Sequence, residues 1–94
     1  MPFQKIRIEY SNHFVSERKK YVKNNLRRFN DYDRISNLFT SNPAHPSLNL
    51  EKLQNAKGIH TIRLNKSDRI FFIWKNKDTV IFVAIGKHDK YRRY

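Results

Sequence analysis

An α+β domain is the fold class that this sequence predicts, on three observations. Apolar residues recur at helical spacing only in the first half of the chain, between a short alternating segment and a proline-containing loop. The second half holds strand-like runs rich in β-branched and aromatic residues. Short turns join those runs, which predicts an antiparallel meander. The expected architecture is two N-terminal-half helices packed on one face of a small antiparallel sheet, in the order β-α-α-β-β-β, with residues 1–94 as a single domain.

Each element has its own warrant. Ile6, Ile8 and Tyr10 alternate with Lys5, Arg7 and Glu9, the period of a half-buried strand. Ser11 or Asn12 can cap the helix that follows. Phe14, Tyr21 or Val22, Leu26 and Phe29 fall on one face of that helix, and Arg18, Lys19, Lys20, Lys23, Arg27 and Arg28 on the other. A second, short helix is expected to start near Asp31 or Asp33 and to bury Ile35, Leu38 and Phe39. Residues 41–47, with Pro43 and Pro46, end it.

Further on, Ile62 and Leu64 alternate with Thr61, Arg63 and Asn65. Residues 65–68 supply a turn, 69–74 a continuous β-branched and aromatic run, 76–78 a second turn, and 80–85 a last apolar strand that Gly86 is expected to end. Strands apolar on both sides belong in the middle of a sheet. Phe71, Phe72, Trp74 and Phe82 are therefore expected in the core.

Composition narrows the function. Twenty Lys+Arg against eight Asp+Glu leave a net charge of +12, while 38% hydrophobic and 14% aromatic residues argue against disorder. Such a fold attracts polyanions, so nucleic acid is the first partner class and an acidic protein the second. The absence of cysteine excludes disulfides, thiolate metal sites and cysteine nucleophiles, and fits a reducing cytoplasm. The longest apolar run, 80–85, is far short of the roughly 20 residues that span a bilayer, and the N-terminus lacks the apolar core of a secretion signal. No membrane association is expected. Two glycines leave no room for a glycine-rich phosphate loop.

Three segments resemble a known family. They are Pro46-Ser47-Leu48-Asn49-Leu50-Glu51-Lys52-Leu53, the stretch from Ile62 through Asn65-Lys66-Ser67-Asp68-Arg69 to Phe72, and the corner Ile85-Gly86-Lys87-His88-Asp89. With the element order and the charge, they resemble the RelE/ParE toxin superfamily. The resemblance implies the toxin of a toxin–antitoxin pair, silenced by a cognate antitoxin. RelE-like members cleave messenger RNA, usually in the ribosomal A site, without metal. ParE-like members inhibit DNA gyrase instead.

Metal-free RNA cleavage needs a base for the 2′-OH, an acid for the leaving 5′ oxygen, and cations for the charged transition state. The resemblance assigns Arg69 as phosphate clamp, a role its forked donors suit. His88 is assigned as general acid or base, since histidine titrates near neutral pH. Tyr91 is the preferred aromatic for stacking on a base or orienting the 2′-OH, with Tyr94 as the alternative. Arg63 points away from the Ile62–Leu64 stripe and is the expected second phosphate contact. Lys66, Lys87 and His60 complete the candidate RNA-binding set. No metal or cofactor is expected, because His88-Asp89 has no second ligand cluster at suitable spacing. The rival expectations are a ParE-like gyrase inhibitor and a non-catalytic, basic RNA-binding relative.

Overall fold

Polar caps set where the helices begin. In the computed structural model, which describes residues 5–54 and 56–87, β1 (Arg7–Tyr10) leads into α1 (Asn12–Val22). Ser11 keeps an extended backbone, and its hydroxyl accepts from the Phe14 amide at 3.0 Å. The chain breaks at Asn24, whose φ of 54° lies in the left-handed region that asparagine tolerates better than most residues. Asn25 then caps α2 (Leu26–Ser41) by accepting from the Arg28 amide at 3.1 Å. The first helix therefore stops well before Phe29, and the second starts at Leu26 rather than near Asp31 or Asp33. Because the helical register restarts at Asn25, Leu26 and Phe29 turn outward, 74% and 50% exposed, instead of entering the core.

Past α2, a 3-10 turn (Pro46–Leu48) precedes β2 (Glu51–Lys52), β3 (His60–Arg63), β4 (Asp68–Asn76) and β5 (Thr79–Lys87). The two-residue β2 is too short to show any alternation in sequence. Gly86 does not end β5. It takes a φ of 154°, which side-chain-bearing residues rarely adopt, and stays paired opposite Arg69.

The class is α+β as expected, but one pairing differs. The strand order is β1-β5-β4-β3-β2; β3 through β5 form the predicted antiparallel meander, and β2, absent from the expected order, adds an antiparallel edge strand beside β3. β1 pairs parallel with β5, with Arg7 opposite Thr79 and Tyr10 opposite Phe82, so the sheet is mixed. The two helices lie between β1 and the meander and provide the long crossover that a parallel pair requires.

Phe14, Ile35 and Phe39 from the helices meet Ile62, Leu64, Ile70, Phe72, Val80 and Phe82 from the sheet. The Phe82 ring lies 5.3 Å from Phe14, 5.9 Å from Tyr10 and 6.1 Å from Phe39. Trp74, expected in the core, sits at its rim and is 36% exposed, because β4 leaves the core over its last three residues. Among the described residues, no helix is long and apolar enough to cross a membrane.

Two polar ties hold α1 to the sheet. The Tyr21 hydroxyl donates to Asp68 Oδ2 at 2.6 Å, at the start of β4. The Ile85 amide donates to Glu17 Oε1 at 2.8 Å, beyond the point where β1 stops pairing with β5.

Candidate nucleic-acid interface

The strand register decides which candidate side chains meet. Arg63, the last residue of β3, stands directly opposite Arg69 on β4. Both lie on the sheet face turned away from Ile62 and Leu64, which are 0% and 1% exposed. Like charges opposite each other destabilise a sheet, so the pair needs an anion. Glu51 on β2 supplies part of it. Its Oε1 lies 3.5 Å from Arg69 Nη1 and also accepts from Asn49 Nδ2 at 3.0 Å. Glu51 is half-exposed and can swing away, so a phosphate can replace it.

The turn between these strands is held rigid. Asn65 Oδ1 accepts from the amides of Ser67 and Asp68 at 3.1 and 3.0 Å. Asn65 Nδ2 donates to the Tyr21 hydroxyl and to Asp31 Oδ2, each at 3.2 Å. One side chain thus ties the turn to α1 and α2 together. Burial, and then the hydrogen bond to Asp68, push the Tyr21 hydroxyl up to about 12. Lys66 is left exposed at the tip of a fixed loop.

No family model matches the sequence, and no curated protein matches it either. Solved structures do match in fold. A DinJ–YafQ toxin–antitoxin complex from E. coli aligns with a TM-score of 0.69 at 18% identity, over 89% of this chain and 93% of that one. A YoeB/ParE toxin from Agrobacterium tumefaciens aligns at 0.72 with 9% identity, over 88% and 99%. A metal-bound toxin from Helicobacter pylori aligns at 0.67 with 25% identity, over 90% and 97%. This chain has the RelE/YoeB-like toxin fold.

In this RelE/YoeB-like fold, the candidates fall into three groups. Arg63 and Arg69 are brought together, with Lys66 in the turn that joins their strands. Lys87 closes β5 opposite Asp68 and is exposed. His60 stands apart from them. It shares the face of Ile62, its ring stacks on Phe72 at 5.7 Å, and its Nδ1 is buried without a hydrogen-bond partner among the described residues. His88, Tyr91 and Tyr94 lie outside the described residues. Among the described residues, no three His, Asp or Glu side chains group as metal ligands.

Sequence reasoning missed the residues that hold the site in place: Glu17, Tyr21, Glu51 and Asp68. Only Asp68 carried a signal, a lone carboxylate at the head of an apolar strand. It also missed an apolar groove of about 430 Å3 between α1 and α2, lined by Val15, Arg18, Lys19, Val22, Phe29 and Tyr32. Arg18 spans its base, 5.0 Å over the Tyr10 ring and donating to the Tyr32 hydroxyl at 3.1 Å. Burial raises the pKa of that Tyr32 hydroxyl against the hydrogen bond from Arg18.

Proposed function

We propose that this chain is the toxin of a toxin–antitoxin pair, a cytoplasmic endoribonuclease that cleaves messenger RNA in the ribosomal A site. The observation that carries this reading is the cross-strand pair Arg63–Arg69, held by a rigid turn and countered by one displaceable carboxylate. Two fixed cations on one sheet face suit a phosphodiester, whose charge rises in the transition state.

In the reaction, the ribose 2′-OH attacks the adjacent phosphorus and the bond to the 5′ oxygen breaks. The products are a 2′,3′-cyclic phosphate and a free 5′-hydroxyl. Arg69 and Arg63 hold the non-bridging oxygens. His88, next in sequence to Lys87, takes the 2′ proton or gives one to the leaving oxygen. Tyr91 orients the attacking nucleotide, with Tyr94 as its alternative, and Lys66 and Lys87 bind flanking phosphates. The nucleophile belongs to the RNA itself, so the scheme calls on no cofactor.

The antitoxin partner is supported by the groove between α1 and α2. Val15 and Phe29 are exposed there beside Lys19, and Lys19 is shared with an adjoining hollow lined by Lys20 and Lys23. An apolar strip with a cationic border fits an acidic amphipathic segment.

Mapping of messenger RNA 5′ ends after brief induction tests the function, with Arg69→Ala and His88→Ala alongside. The expected result is new ends inside translated codons, absent in both variants. Intact messages in growth-arrested cells would overturn the nuclease reading in favour of gyrase inhibition. Intact messages with normal growth would leave a non-catalytic RNA-binding protein.

A further inference from the structure

Arg34 has no part in the chemistry above, yet α2 carries it to the mouth of a second cleft. This cleft, of about 370 Å3, lies between α2 and the β3–β4 turn. Arg34, Lys66 and Ser47 form its rim, Ile35 and Leu64 form its floor, and Arg63 at the end of β3 borders it. The floor residues are 2% and 1% exposed, while the three cationic side chains reach solvent. The volume falls within the range of small-ligand sites, about 300–1,000 Å3.

The charge of the rim is only partly offset. Asp31 Oδ1 stands 3.6 Å from Arg34, but the same carboxylate accepts from Asn65 at 3.2 Å. On the other side of the turn, Arg27 and Arg28 face a hollow that shares Asn65 and Lys66 with the cleft. Arg63 belongs both to the cleft and to the pair with Arg69. A series of cations therefore leads from α2, over the turn, to the proposed site of cleavage.

On the reading proposed above, we infer that this cleft is a second RNA-backbone site. It takes one nucleotide unit of a strand that continues to Arg69, with Arg34 and Lys66 as its phosphate contacts. A carboxylate of an acidic peptide would satisfy the rim alone. A nucleotide satisfies the rim with its phosphate and the apolar floor with its ribose and base. The Arg34 guanidinium also presents the forked donors that match phosphate oxygens. Because Asn65 locks the turn to both helices, the cleft needs little reordering to bind.

The test is the salt dependence of binding to a short single-stranded 2′-O-methyl oligoribonucleotide, which cannot be cleaved by its own 2′ oxygen. Each phosphate contact to a single strand contributes about 0.7 to the slope of log K against log salt. The double variant Arg34→Gln/Lys66→Gln should lower that slope by about 1.4. A charge-matched control, Arg7→Gln/Lys77→Gln, lies at the opposite end of the sheet and should keep the wild-type slope. A parallel arm uses washed ribosomes without message. A shallower slope there alone supports the site with ribosomal RNA as its source, and one on the oligonucleotide supports the message strand. Wild-type slopes in both arms overturn the inference, as does equal competition by polyglutamate. Intact cellular messages together with a shallower slope would remove the cleavage reading and leave the cleft standing.

Discussion

Tyr21→Phe removes one oxygen and tests how the candidate site is held. The Tyr21 hydroxyl donates to Asp68 Oδ2 at 2.6 Å, and Asp68 is 7% exposed. A hydrogen bond to a charged group contributes about 1.5–3 kcal/mol. Asn65 Nδ2 stays 3.4 Å from the same oxygen and compensates in part, which places the loss near 2 kcal/mol. For a domain of this size, 1 kcal/mol moves the melting midpoint by about 4–8 °C, so the expected fall is about 8–16 °C. The effect has a pH signature. Burial and the Asp68 hydrogen bond raise the hydroxyl from its ordinary 10.0 to about 12 in the folded chain. Stability from the neutral hydroxyl is then fully present below pH 10 and is lost as pH rises through about 12. Urea unfolding of both proteins across that range should show a constant gap at neutral pH that closes toward pH 12. An unchanged midpoint in Tyr21→Phe, or a gap that stays flat above pH 10, would refute the reasoning.

Other substitutions probe separate parts of the molecule. Glu51→Gln frees Arg69 from a half-exposed pair worth about 0–1 kcal/mol, so stability should barely move while RNA affinity rises by up to about five-fold in a direct titration. Glu17→Ala takes the side-chain acceptor from the Ile85 amide and should cost about 1–3 kcal/mol in urea unfolding. Phe82→Ala opens a cavity among Phe14, Phe39 and Phe72 and should cost about 3–5 kcal/mol, read as loss of a cooperative thermal transition at moderate temperature. Leu26→Gln/Phe29→Gln should leave the melting midpoint of the free chain nearly unchanged, because both side chains are exposed, but should weaken capture by the cognate antitoxin in a calorimetric titration.

The strand half of the fold could be read closely. The meander, both of its turns and the alternation that puts Arg63 opposite the Ile62–Leu64 face follow from residues close in sequence. The helix boundary has a sequence signal that the apolar spacing hides. Asn24-Asn25 joins a residue tolerant of left-handed backbone to a strong helix cap, yet the apolar spacing ran across it and suggested one long helix. A helical stripe cannot show a phase break when exposed apolar residues such as Leu26 and Phe29 continue it. His60 shows a similar limit. Its type suggests chemistry, while its register places the ring on Phe72.

The sequence by itself determined the α+β class, the antiparallel meander and the polyanion-seeking charge, because local periodicity and composition settle each of them. Tertiary structure alone decided three things. It put β1 parallel to β5, it made Glu51 the counter-ion of Arg69, and it locked the β3–β4 turn to α1 and α2 through Tyr21, Asp68 and Asn65. These contacts join residues far apart in the chain. Their partners are chosen by strand register and helix packing, and no spacing within a local window records that choice.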